Sequence, residues 1–158
     1  MSTSHSDGRP KLSGMKFLVE AVLNADDSGT VLRIGDQKAL GRNYALKIVK
    51  REAENGDLQI ELARLAAEAS TKLGHPAILK YHDFRLRRSW FRVSRAELLM
   101  EYVAGQPISG IEELTTDQLI LIYRQVASAL AHMHRRGLCH VATCGPSISC
   151  WRPRGRSR

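Results

Sequence analysis

Tyr44-Ala45-Leu46-Lys47-Ile48-Val49 is the stretch that decides the fold. It is a short run of strand-favouring residues with one lysine inside it. Upstream, Phe17, Val19 and Val22 alternate in part, and Thr30 to Ile34 is a second β-rich piece. Asp26-Asp27-Ser28-Gly29 spells a turn between those two, and the polar segment Gly35 to Gly41 spells the next. Three successive strands joined by tight turns imply an antiparallel meander. Downstream, residues 50–57 are charged and contain Gly56, as a loop would. Leu58, Leu62, Leu65, Ala69 and Leu73 then recur at helical spacing. Gly74 and Pro76 end that helix. Ile78 to Leu86 and Phe91 to Val103 read as two further strands, with a turn near Arg87, Arg88 and Ser89.

Gly105, Pro107 and Gly110 break the chain before its clearest element, a helix expected over 116–136. Thr115-Thr116-Asp117-Gln118 fits a capping box, in which Thr and Gln side chains satisfy orphan N–H groups. Leu119, Ile122, Tyr123, Val126, Leu130 and Met133 keep one face apolar. Arg135 and Arg136 suit the negative end of the helix dipole, and Gly137 supplies a left-handed stop.

The chain has 158 residues, of which 43% are hydrophobic and 25% charged. That balance suits one globular domain with a real core and argues against a fibrous repeat or disorder throughout. Met1 to Gly14 is polar and lacks the apolar core of a signal peptide, so residues 1–14 are expected to be a disordered leader. Leu119 to Tyr123 is far too short to span a bilayer, and no membrane segment is expected. Three cysteines cannot pair fully, which points to a reducing, cytoplasmic compartment. Half of the net charge of +8 comes from Arg152, Arg154, Arg156 and Arg158. Much of the rest lies in Arg85, Arg87, Arg88, Arg92 and Arg95, so the charge is a tail plus one segment.

Placed on this order of elements, three motifs resemble a protein kinase, specifically the amino-terminal lobe of the bacterial Ser/Thr kind. Tyr44-Ala45-Leu46-Lys47-Ile48 looks like the third-strand lysine motif. Leu99-Met100-Glu101-Tyr102-Val103-Ala104-Gly105 looks like the hinge between lobes. Met133-His134-Arg135-Arg136-Gly137-Leu138-Cys139-His140 looks like the helix end leading to the catalytic loop, which His140 would begin. His75-Pro76-Ala77-Ile78-Leu79 adds support as the segment after the regulatory helix. The likeness runs from about Phe17 to His140. It implies an α+β fold: a five-stranded antiparallel sheet with one helix, a hinge, and the first long helix of an incomplete large lobe. The implied division is a small lobe over 15–102, hinge and large-lobe start over 103–140, and an irregular basic tail over 141–158.

The resemblance also implies roles. Phosphoryl transfer needs charge neutralisation more than covalent help. Lys47 would hold the α- and β-phosphates of ATP; the plain alternative is a strand lysine snorkelling to solvent. The Glu101 carbonyl and Val103 N–H would match an adenine edge, with Met100 as gatekeeper and Val31 and Ala45 covering the base. Aligned through Val31 and Lys47, the three phosphate-loop glycine positions hold Asn24, Asp26 and Gly29. Gly29 either belongs to that loop or serves only the turn. Asp26 and Asp27 would repel phosphate. Glu68 is the candidate helix glutamate for Lys47, or it pairs with Lys72 at i,i+4. ATP, with Mg2+ in the complete family, is the implied cofactor.

The catalytic loop departs from the family pattern. After His140 come Val141 and Ala142, so the catalytic aspartate is missing, and the tail holds neither Asp nor Glu. Val141-Ala142-Thr143-Cys144-Gly145-Pro146, back-translated with ordinary codons and read two nucleotides in, spells Gly-Asp-Leu-Arg-Pro. After His140 that would be the expected loop, so a frameshifted, truncated kinase gene product is expected. A pseudokinase-like nucleotide- or protein-binding module without catalysis is the alternative. Cys139, His140, Cys144 and Cys150 lack paired Cys-x-x-Cys knuckles, and no metal is expected. Arg85 to Arg95 with Trp90 and Phe91 has a composition that could contact nucleic acid. It is read instead as a hairpin with a solvated arginine turn and its aromatics packed inward, and no specific nucleic acid is expected. Expected partners are a protein substrate or regulator, and a second copy through exposed helix 116–136.

Overall fold

The computed structural model describes residues 9–53, 55–138 and 150–151. These form two compact units, one within Met1–Gly74 and Leu79–Tyr102, the other within His75–Ile78 and Val103–Arg158.

The first unit is a five-stranded antiparallel sheet with one helix. Strands β1 (Phe17–Asp26), β2 (Gly29–Asp36) and β3 (Asn43–Lys50) form the expected meander. Helix α1 (Gly56–Ser70) follows, then β4 (Tyr81–Ser89) and β5 (Arg92–Glu101). The spatial order is β1-β2-β3-β5-β4, which leaves β1 and β4 as edges. The partial alternation in β1 has a cause: its register against β2 shifts at Val19/Ala21 and again at Val22/Asn24. Each irregularity interrupts the period of two.

Alternation in β3 divides the core. Tyr44 and Leu46 pack with Ile34 and Leu99 on one face, where Leu12 closes the cluster. Ala45 packs with Leu98, Met100 and Ala63 of α1 on the other. Burying one Leu or Ile side chain contributes roughly 1.5–3 kcal/mol, so Ile34 and Leu99, both fully buried, anchor the first cluster.

Four expectations need correction here. Leu12–Gly14, expected within the disordered leader, forms a short 3-10 turn; the Leu12 N–H donates to Asp83 Oδ2 at 2.8 Å and its side chain is buried. The fourth strand starts at Tyr81, not Ile78, because His75–Ile78 closes a turn in which the Ile78 N–H donates to the His75 carbonyl. The leucine stripe of α1 does not face the sheet. Leu58, Leu62 and Leu65 are exposed, while Ala63 and Ala67 pack on it, since a helix lying close against a sheet has room there for small side chains. The hairpin turn is Trp90-Phe91, not the arginines, and both aromatics point to solvent rather than inward.

The second unit holds helix α2 (Thr116–His134). Its capping box is made as expected: the Gln118 N–H donates to Thr115 Oγ1 at 3.3 Å, and the Thr115 N–H donates to Gln118 Oε1 at 2.8 Å. The helix ends two residues before the expected 136, and Gly137 takes its left-handed φ of 69° just beyond. Ile122, Ala129 and His132 are buried, whereas Tyr123, expected on the apolar face, is exposed. His75 belongs with this unit: its ring lies 5.3 Å from that of His132, and Nε2 is 3.1 Å from Ser128 Oγ. The Ala77 N–H donates to His75 Nδ1, so a neutral His75 carries its proton on Nε2. Two-residue strands β6 (Gln106–Pro107) and β7 (Cys150–Trp151) pair, a regular contact in a tail expected to have none. No helix among the described residues is long and apolar enough to cross a membrane.

Candidate functional site

Lys47 lies at the middle of β3, paired with Val31 on β2 and Leu98 on β5. It shares a strand face with Ala45, two positions away. On that face Ala45, Met100 and Leu98 are buried, with Val31 packed against them. Three residues expected to enclose a purine, Val31, Ala45 and Met100, therefore form one apolar wall, and Lys47 stands beside it.

The ammonium is not free. Lys47 Nζ donates to Ser28 Oγ at 3.2 Å, and Ser28 Oγ donates to Asp26 Oδ1 at 2.7 Å. The Ser28 N–H donates to the same oxygen at 2.8 Å, and Asn24 Nδ2 donates to Asp26 Oδ2 at 2.7 Å. Hydrogen bonds from Ser28 and Asn24 hold the Asp26 carboxyl below the usual carboxylate range. Burial pushes the Lys47 ammonium down, and the charge of Asp26 partly opposes that. Ser28 and Asn24 are the residues that sequence reasoning missed as partners. The signal was present, because Asp-x-Ser is the spacing of a turn in which the carboxylate accepts from the N–H two residues on.

Gly29 begins β2 with φ of 123°, and a Cβ there would meet the Ile48 carbonyl oxygen at 2.5 Å. Close approach to β3 therefore accounts for this glycine within the fold. Glu68 does not reach Lys47. It pairs with Arg64, which also binds Glu61, and among the described residues it makes no ion pair with Lys47 or Lys72. The inward strip of α1 carries Ala63 and Ala67, leaving both glutamates on the outward side.

The segment expected to be a hinge starts where β5 ends. The Glu101 N–H donates to the Lys80 carbonyl at 2.9 Å, and Glu101 Oε1 accepts from the Lys80 N–H at 2.8 Å. Arg33 pairs with Glu20 at 2.9 Å and lies 5.7 Å from the Tyr102 ring centroid. Val103, half-buried, begins the second unit. His140, Cys139 and Cys144 lie outside the described residues, as does the side chain of Cys150. A hollow of about 210 Å³ lies elsewhere, lined by Lys11, Met15, Asp36 and Tyr44 among others.

Tested against ATP, these residues fit the base better than the phosphates. The apolar wall suits a purine face. On the phosphate side, Asp26 already engages the needed cation through Ser28, and Asp27 adds a second negative charge.

No family model matches the chain. It is 29% identical over 133 residues to the serine/threonine-protein kinase PknA of Mycobacterium tuberculosis, covering 82% of this chain and 30% of that protein. It is 28% identical over 150 residues to the human serine/threonine-protein kinase Nek11, covering 88% and 22%. The chain thus spans less than a third of the length of these curated relatives. The crystal structure of the M. tuberculosis PknI kinase domain superposes with a TM-score of 0.61 at 23% identity, over 83% of this chain and 52% of that one. The chain therefore has the fold of a protein-kinase small lobe and is similar in sequence to Ser/Thr kinases, bacterial ones included, over most of its length.

Proposed function

We propose that the chain is a catalytically impaired form of an ATP-dependent protein Ser/Thr kinase, retaining the small lobe and the start of the large one. The observation that carries this is the Lys47–Ser28–Asp26 chain of hydrogen bonds. The lysine that would neutralise phosphate is tied to a carboxylate through a hydroxyl, and Glu68 is occupied by Arg64. The sequence after His140 agrees, because Ala142 stands where a base for the substrate hydroxyl would be needed. A change of reading frame after His140 accounts for that substitution, and the gene tests it. Kinase-like coding text is expected in another frame beyond His140, and its absence removes this account.

Incubation with Mg-ATP and a generic protein substrate tests the impairment. No phosphate transfer is expected, and turnover that Lys47→Ala abolishes overturns the proposal. A second reading, a module that binds a protein regulator without catalysis, is supported by the same occupied lysine. Binding of a regulator by Lys47→Ala at the parent's strength favours that second reading.

A further inference from the structure

The β4–β5 hairpin ends in two adjacent aromatic side chains that the fold does not use. Trp90 is 93% exposed and Phe91 96%. They form a two-residue turn closed by the Ser89–Arg92 pair. Trp90 holds φ at 58°, and Phe91 has no positive φ. The first position of such a turn favours glycine, which takes positive φ without steric cost. The hairpin therefore carries backbone strain at Trp90 and exposes two large apolar side chains, and neither stabilises the lobe.

The surroundings supply charge of one sign. Between Asp83 and Glu97 there is no acidic residue, and there are five arginines: Arg85, Arg87, Arg88, Arg92 and Arg95. Glu97 is 5% exposed and accepts from Arg87 Nε at 3.0 Å and from Arg95 Nε at 2.9 Å. One carboxylate thus holds two guanidinium groups at the base of the hairpin. Arg88 and Arg92, exposed beside the tip, have no carboxylate partner among the described residues. Because β4 is a sheet edge, the hairpin stands at the margin of the lobe.

The geometry points to a docking site for an anionic phospholipid bilayer, with Trp90 and Phe91 entering the headgroup region and Arg88 and Arg92 meeting lipid phosphates. Aromatic side chains favour the bilayer interface, where one side is apolar and the other wet. Arginines just behind them add attraction to a negative surface. Shape favours this occupant over single-stranded nucleic acid, which stacks its bases along a groove or sheet face. Here the rings project from a convex tip.

The test uses the full chain carrying Trp151→Phe, which leaves Trp90 as its one tryptophan. Vesicles of phosphatidylcholine with phosphatidylglycerol are expected to shift Trp90 emission to the blue, and brominated acyl chains to quench it. Pure phosphatidylcholine is expected to do neither, and salt to weaken the effect. By vesicle flotation of the otherwise unmodified chain, Arg88→Ala and Arg92→Ala should each weaken binding about fivefold. Trp90→Gly with Phe91→Ser should abolish it while thermal stability is kept or raised, since glycine relieves the strained φ. Emission indifferent to anionic vesicles overturns the proposal, as does flotation unchanged in the tip variant. Quenching by a single-stranded oligonucleotide without any vesicle response overturns it too, and gives the surface to nucleic acid.

Discussion

Lys47 and Asp26 show how one residue in a turn constrains what a neighbouring strand can do. A lysine inside an apolar strand pair is desolvated, so it takes the nearest acceptor, and here that is Ser28 backed by Asp26. Asp26→Asn keeps an acceptor for Ser28 and removes the charge. Two unit charges about 4 Å apart in water interact by on the order of 1 kcal/mol. Asp26→Asn is therefore expected to tighten Mg-ATP binding about fivefold, as read by calorimetric titration; equal or weaker affinity would show that Asp26 does not oppose phosphate. Gly29 has a steric reason within the fold. With φ of 123° and Ile48 O where a Cβ would go, Gly29→Ala is expected to cost about 1–3 kcal/mol in urea unfolding. A loss below about 0.5 kcal/mol would mean that the turn can shift.

Helix α1 separates hydrophobicity from burial. Its leucines look outward and its alanines pack on Ala45, Leu98 and Met100. Ala63→Leu is expected to overpack that contact and cost about 1–3 kcal/mol. Leu62→Ala and Leu65→Ala should each change stability by no more than about 0.5 kcal/mol. The reverse ranking in chemical denaturation would place the leucines against the sheet.

Helix α2 carries a pH dependence. Burial first, then the charges of Arg136, His75 and Arg135, hold His132 below the ordinary imidazole value. The folded state therefore binds this proton less readily than the unfolded chain does. The stability involved is complete above the unfolded value of about 6.5 and is lost as pH falls below it. The stability of this unit should fall as pH drops below about 6.5, and His132→Gln should flatten that slope. An unchanged slope would assign the acid sensitivity to other groups.

Across the whole molecule, exposed apolar side chains gather on several elements. Leu18, Val22 and Leu23 lie on edge strand β1, Leu58 and Leu65 on α1, and Ile120, Leu121 and Tyr123 on α2. An edge strand also offers unpaired backbone groups to a second chain. Exposed apolar side chains on each of these elements favour association. Sedimentation velocity is expected to show a weight-average coefficient rising with concentration. A monodisperse monomer over the same range would contradict self-association, including the contact expected through helix 116–136.

Local chemistry determined the elements. The Thr115–Gln118 capping box, the Asp26–Gly29 turn and the apolar run around Lys47 each depend on residues close in sequence, and each formed where its residues stand. The kinase-like order of motifs was legible for the same reason. Which side of α1 is buried, what Lys47 and Glu68 bind, and whether Trp90 and Phe91 face the core were settled only by the tertiary structure. The physical reason is competition: an alanine beats a leucine where helix and sheet lie close, and a charged side chain takes whichever partner folding brings nearest.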